Sequence, residues 1–214
     1  MPIFVKDESI DNAIKNELKS IQIHFKKDEL AYLALTSKIE LPIRDKIAFR
    51  LHKILNTLKV AREWNRTDLV ILDSYNKPIR ILELKAMYTF DGIDIHKEKD
   101  IFPKLLVQDF QKNKKLLQKE TKCYSLLLAT HPSAIISKRL QNIVKYSGGI
   151  NNAFNKYRTS GAILNNCKKN IKNKLSELFG KEKIIMGTIN AGRCWNNKVE
   201  IIYWLIGPYS SLKR

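Results

Sequence analysis

The sequence predicts an α/β fold, a mixed central β-sheet flanked by helices. Two apolar stretches, residues 66–73 and 80–85, are rich in Val, Ile and Leu and read as short strands. Asn76, Lys77 and Pro78 supply the turn between them. Residues 100–119 then carry an amphipathic helical pattern, and 123–130 contain the run Leu126-Leu127-Leu128-Ala129, which suits a central strand covered on both faces. The order strand, strand, helix, strand gives a mixed sheet with helices packed on it. The chain has 214 residues and shows no internal repeat or low-complexity linker, so one domain spanning 1–214 is expected. N-terminal helices precede that core and a C-terminal β-hairpin follows it.

The elements follow in order. Ile10, Ile14, Leu18 and Ile21 recur at helical spacing and predict a helix over 9–24, with Asp7 or Ser9 as its cap. A second short helix is expected over 28–35. Residues 42–58 give a clearer one: Pro42 suits the first turn, and Ile43, Ile47, Leu51, Ile54, Leu55 and Leu58 form the apolar stripe. A short strand over 60–64 precedes the strand pair. After Lys85 a loop is expected over 86–100, with Gly92 as its most permissive point, holding Asp91, Asp94, His96, Glu98 and Asp100. Beyond the strand at 123–130, Pro132 is placed to open a helix reaching Lys145. Ser147-Gly148-Gly149 reads as a breaker, and no Gly-Lys-Ser or Gly-Lys-Thr follows it, so it is not a phosphate loop. Residues 151–158 pattern weakly as helix or loop, and 164–179 form a helix that Gly180 stops. Strands at 183–189 and 199–206 close the chain, with Asn196 and Asn197 in the hairpin turn and Gly192, Arg193 and Trp195 in an irregular link.

Charge narrows the function. Thirty-nine Lys and Arg oppose 21 Asp and Glu, a formal net charge of +18 spread along the whole chain. Such a surplus implies a polyanionic partner. No single amphipathic segment concentrates the charge, which disfavours a membrane surface. Cys123, Cys167 and Cys194 are too widely spaced for a metal motif or a disulfide framework and fit a reducing compartment. The start of the chain lacks a signal-peptide core and no stretch reaches a membrane span, so a cytoplasmic protein is expected.

Inside the two greasy strands stand three charges, Asp68, Glu83 and Lys85. A strand alternates faces with period two, so Glu83 and Lys85 point the same way. Pairing of the strands brings Asp68 near Glu83. Two carboxylates at one spot repel unless a cation sits between them, and a hard ion such as Mg2+ prefers such oxygens. A lysine beside them orients a water or meets developing charge.

Asp68, followed after a spacer by Glu83-Leu84-Lys85, resembles the catalytic signature of the PD-(D/E)XK nuclease superfamily. Thr67 stands where that pattern usually has Pro. The resemblance covers roughly residues 40–130 and implies a restriction-endonuclease-like core. It implies an endonuclease that hydrolyses phosphodiester bonds of double-stranded DNA with Mg2+, Mn2+ substituting. Asp68, Glu83 and the Leu84 carbonyl would hold the metal, and Lys85 would position the water or share the new charge. In the superfamily a preceding helix often adds an acid, for which Glu40 and Asp45 are candidates; Glu63 is another residue near enough to consider. Glu40 and Asp45 also read as helix-start acids favoured by the dipole. Arg66, Lys112 and Arg193 are candidate DNA contacts. Asp109-Phe110-Gln111-Lys112-Asn113 partly matches a D-x-x-K-L-like stretch of the superfamily, and Asp109 and Lys112 are spaced to pair.

Within this class a type II restriction endonuclease is the leading reading, because the chain has no helicase or nucleotide-binding region. It would act as a homodimer on a palindromic target, with a cognate DNA methyltransferase protecting the same site. Two other readings stay open: a structure-selective junction-resolving or repair nuclease, and a non-catalytic DNA-binding protein. RNA as the substrate is compatible with the same metal chemistry.

Overall fold

The computed structural model describes residues 7–93, 101–113, 116, 118, 120–180 and 184–209. Among these, the strands are β1 (Lys59–Arg62), β2 (Leu69–Leu72), β3 (Pro78–Tyr88), β4 (Lys122–Pro132), β5 (Ile184–Cys194) and β6 (Asn197–Tyr209). They form one open sheet in the order β1-β2-β3-β4-β6-β5, with β1 and β5 at its edges. β3 and β4 run parallel and every other neighbouring pair is antiparallel. The helices are α1 (Asp7–Ser20), α2 (Glu29–Thr36), α3 (Glu40–Ile54), α4 (Ile101–Asn113), α5 (Ser147–Tyr157) and α6 (Ser160–Phe179). The fold is thus α/β, with a mixed, unclosed sheet between helices, and no described helix is long and apolar enough to cross a membrane.

The period-two rule sorts β3 and β4 cleanly. Leu82, Leu84, Ala86 and Tyr88 join Tyr124, Leu126 and Leu128 in a core shared with α1, α2 and α3. Ile81, Met87, Cys123, Leu127 and Ala129 face the other way, onto Leu106 and Phe110 of α4 and Cys167 and Ile171 of α6. β4 is buried along almost its whole length, as its apolar run requires. Glu83 and Lys85 share the face of Ile81 and Met87 and therefore meet α4.

One charged pair crosses the first core. Arg80 of β3, 1% exposed, donates to Asp11 of α1 at 2.7 Å. Asp11→Ala removes a carboxylate bonded to the buried guanidinium, so the variant is expected to lose about 3 kcal/mol of stability in urea unfolding at neutral pH. A loss no larger than that of an exposed pair would show that water reaches Arg80.

Several boundaries differ from the sequence expectation. β3 continues through Ala86, Met87 and Tyr88, read above as loop, because these residues pair with Leu128, Ala129 and Thr130 of β4, more than forty positions away. Asp94, His96, Glu98 and Asp100 lie outside the described residues. α4 runs Ile101–Asn113, and residues 114, 115, 117 and 119 of the helix expected to 119 lie outside the described residues. Between Pro132 and Lys145, where a helix was expected, there is only a turn of 3-10 helix at Lys138–Leu140. Instead Asn151 ties both backbone groups of Ile136, at 2.7 and 2.9 Å, and the Asn197 carboxamide accepts from Ser133 and Ala134. Side-chain amides thus take the bonds a helix would have made.

Ser147-Gly148-Gly149 opens α5 rather than breaking the chain. At Gly149 an added Cβ would stand 2.6 Å from the Phe90 ring, so the glycine permits the packing of α5 on the end of β3. Gly192 and Arg193 belong to β5, past a bulge between Asn190 and Gly192. The hairpin turn is Trp195-Asn196, one residue earlier than expected, with φ of 48° and 63° as a tight turn of this hand demands. α6 ends at Gly180 as anticipated.

Candidate active site at the β2–β3 junction

β2 and β3 pair with Leu69 opposite Leu82 and Val70 opposite Ile81. One further step of that register sets Asp68 opposite Glu83, on the α4 side of the sheet. Asp68 stands at the mouth of a tight kink. Glu63, Asn65 and Arg66 have φ of 54°, 47° and 69°, and the bond from Glu63 N–H to the Asp68 carbonyl closes the loop at 3.1 Å. Thr67, where the superfamily pattern has Pro, is buried and bonds through its backbone and hydroxyl to the Trp64 carbonyl, at 2.9 and 2.6 Å.

Beyond the end of β2 the exposed edge of β3 still carries backbone donors. Three carboxylates take three successive ones. Leu84 N–H donates to Asp68 Oδ2 at 2.7 Å, Ala86 N–H to Glu40 Oε2 at 3.2 Å, and Tyr88 N–H to Asp91 Oδ2 at 2.9 Å. Side-chain oxygens thereby replace a neighbouring strand. This row fixes Asp68 and Glu40 where Lys85 and Glu83 emerge.

Glu83 is 4% exposed and accepts a bond from Asn113 Nδ2 of α4. Burial, then a hydrogen bond shared with Asp68, pushes its carboxyl up to about 8; the Asn113 bond opposes this and the charges of Asp68 and Asp109 add to it. The upward direction means that Glu83 beside Asp68 disfavours a second bare charge and favours a bound proton. Burial also raises Glu40, with Lys85 opposing and Asp68 reinforcing the shift.

Lys85 Nζ lies 2.5 Å from Asp109 Oδ2 and donates to the Leu84 carbonyl at 3.1 Å. Burial pulls the ammonium down, but the bond to Asp109 and the charges of Asp109, Asp68 and Glu40 outweigh it, and its pKa is raised. Lys85 is accordingly a fixed positive charge at neutral pH, suited to meeting an anion rather than removing a proton.

The other candidates fall in different places. Asp45 and Glu63 are bound by Arg44, at 2.9 and 2.7 Å, and Asp45 also by Arg62 at 2.9 Å, an ion-pair network between α3 and β1. Arg66 contributes its backbone: its carbonyl accepts from Lys112 Nζ at 2.5 Å, which ties α4 to the kink beside Asp68. Asp109 thus pairs with Lys85, and Lys112 turns to the Arg66 carbonyl. Arg193 lies on β5, the sheet edge opposite β1, where its N–H donates to Asp28 at 2.8 Å. Asn113 stood in the sequence reading only as the last residue of the Asp109–Asn113 stretch, without a site role. The signal available was its position four residues after Asp109, which stacks the two on one face of α4.

The donor set suits a hard cation. Asp68, Glu83 and the Leu84 carbonyl offer oxygens alone, and an ion would relieve the repulsion that, with burial, raises Glu83. Among the described residues no group of three or more His, Cys, Asp or Glu is placed to hold a metal ion. The set here is two carboxylates and a carbonyl, and magnesium sites commonly complete such a set with water and substrate oxygens. Compared with models of known families, with curated proteins and with solved structures, the chain gives no match.

Proposed function

We propose that this protein is a metal-dependent endonuclease with a restriction-endonuclease-like core, cutting double-stranded DNA as a type II restriction enzyme does. The observation that carries this reading is geometric: Asp68 stands opposite the buried Glu83 across the β2–β3 pair, with the Lys85 ammonium on the same face of the same strand as Glu83. A protein that only bound DNA would have no use for a repulsive acidic pair beside its phosphate-binding surface. The +18 net charge supports a nucleic-acid partner.

Asp68, Glu83 and the Leu84 carbonyl would hold Mg2+, or Mn2+ in its place. When bound, the ion supplies an activated water and counter-charge for the phosphoryl group. The chain does the rest. Lys85 sits where a phosphate oxygen gains charge and neutralises it. Asp109 holds the ammonium in position through α4, and Asn113 orients Glu83 from the same helix face. Glu40, bonded to Ala86 N–H, adds negative charge beside Lys85 and keeps it protonated. Lys112, bonded to the Arg66 carbonyl at the kink beside Asp68, would meet the incoming DNA backbone. A homodimer addressing both strands, a cognate methyltransferase and a cytoplasmic location complete the restriction reading.

The deciding experiment is digestion of long, sequence-diverse DNA in Mg2+ with mapping of the ends. Discrete fragments support restriction. Cleavage of branched DNA alone assigns the same site to a junction-resolving or repair enzyme, and no cleavage with any divalent ion sinks the nuclease reading.

Two expectations accompany it. Affinity of an inactive variant for duplex DNA should fall by at least about tenfold between roughly 50 and 200 mM salt. A flat titration would remove the polyanion argument. Sedimentation with and without a cleavable duplex should show a dimer; a monomer in both would point to a nicking or repair enzyme instead.

A further inference from the structure

Past Lys85, the overhanging part of β3 runs along a cavity of about 130 Å3. Tyr88, Phe90, Phe102 and Tyr146 form its walls, with Lys38 and Asp91 as its charged groups. The Tyr88 and Phe90 rings are stacked, centroids 5.6 Å apart and planes 23° from parallel. Tyr146 meets Tyr88 edge-on at 5.4 Å and is 46% exposed, so an aromatic surface remains open to an incoming group. Lys38 Nζ lies 5.8 Å from the centre of the Phe102 ring.

Two segments of the cavity wall are chain neighbours of the candidate active-site residues. Lys38 and Ile39 directly precede Glu40, and Ala86, Met87 and Tyr88 directly follow Lys85. The carboxylates capping β3 run Asp68, Glu40, Asp91 in steps of two residues, about 7 Å each. The cavity is therefore the continuation of the site along a single strand.

We infer that this cavity receives one nucleobase of the DNA strand being cut, turned out of its stack beside the scissile phosphate. The inference rests on the nuclease reading and names how its substrate is held. Flat aromatic walls suit a planar ring, and base–aromatic stacking is tolerant of which base is present. The Asp91 carboxylate accepts from the amino or imino edge of a base, which a stacked aromatic wall cannot do. Lys38 at the rim meets the phosphate of the extruded nucleotide. A hydrocarbon ligand of the same size would set Asp91 against carbon, whereas a base offers its carboxylate a further donor.

The test uses full-length Glu83→Gln protein saturated with a duplex whose cut position the wild type has defined. Each position near the cut is replaced in turn by a 5-iodopyrimidine or 8-bromopurine, the complex is irradiated at long wavelength, and the crosslinked peptide is identified. A single position should crosslink several-fold more than its neighbours, to Tyr88, Phe90, Phe102 or Tyr146. In the Phe102→Leu/Tyr146→Leu background that crosslink should fall several-fold while DNA still binds. Crosslinks elsewhere, or spread evenly over positions, overturn the base pocket and leave the nuclease reading standing, because cleavage is scored separately in the wild type. If the wild type cuts nothing, the same scan is run across the length of the bound duplex: pocket crosslinks then keep the base site and sink the nuclease reading. Failure to bind any of these duplexes overturns both.

Discussion

Asp68→Asn should lower DNA cleavage in Mg2+ by at least about 100-fold, with folding and DNA binding intact. Asparagine keeps an acceptor oxygen for Leu84 N–H, so the cap on β3 survives and only the charge is lost. Glu83→Gln should be equally inactive, because the ion then keeps a single carboxylate. Lys85→Ala removes the charge that faces the phosphate and should also abolish cutting, yet leave divalent-ion binding in calorimetry unchanged, since the ammonium is no ligand. Asp109→Asn frees Lys85 from its 2.5 Å partner without removing it and should be milder than all three. Wild-type rates in Asp68→Asn would mean that the site is misassigned. Full activity in all three core variants would make the superfamily resemblance accidental.

The same buried carboxyl makes the metal-free protein lose stability as pH rises. Glu83 titrates near 4.5 when unfolded and about 8 when folded. Between those values the native state holds a proton that the unfolded chain has released, so ν for the unfolded state is the smaller and stability falls with pH. The slope approaches about 1.4 kcal/mol per pH unit for one such group. His131 acts oppositely. Burial, opposed by Glu200 and reinforced by Lys168, lowers it from 6.5 to about 4, so its contribution to stability rises across that interval. The two partly cancel at lower pH, and the window from 6.5 to about 8 belongs to Glu83. Thermal unfolding in chelator should therefore show a falling Tm across that window in the wild type and a flat one in Glu83→Gln, the variant being the more stable at its upper end. Affinity for Mg2+ should rise over the same interval, as ion and proton compete for one carboxyl pair. Superimposable profiles for the two proteins would show that Glu83 carries no proton in the fold.

How much of this was legible beforehand differs element by element. α1, α3, α6, β2 and β4 announce themselves through apolar periodicity, because each buries one face or both against a largely apolar core. The Asp68…Glu83-Leu84-Lys85 spacing likewise needed only the period of a strand and the assumption that two neighbours pair. Other features were invisible for one physical reason: their partners are remote in sequence. β3 runs on past Lys85 because β4 supplies its hydrogen bonds. The segment after Pro132 stays irregular because Asn151 and Asn197 satisfy its backbone.

The site divides in the same way. Residue types and spacing determined that two acids and a lysine share the β2–β3 strand pair of a basic α/β protein. Only the tertiary structure decided which further acids join them. Glu40 comes in because the end of β2 leaves Ala86 N–H without a strand partner, whereas Asp45 and Glu63 are held away by Arg44. Packing of α4 supplied Asn113 to Glu83 and Asp109 to Lys85, contacts that bridge thirty residues in one case. Local pattern specifies which face a side chain takes. Its charge state depends on burial and on neighbours that only the folded chain assembles, and that is what raises Glu83 and holds Lys85 charged.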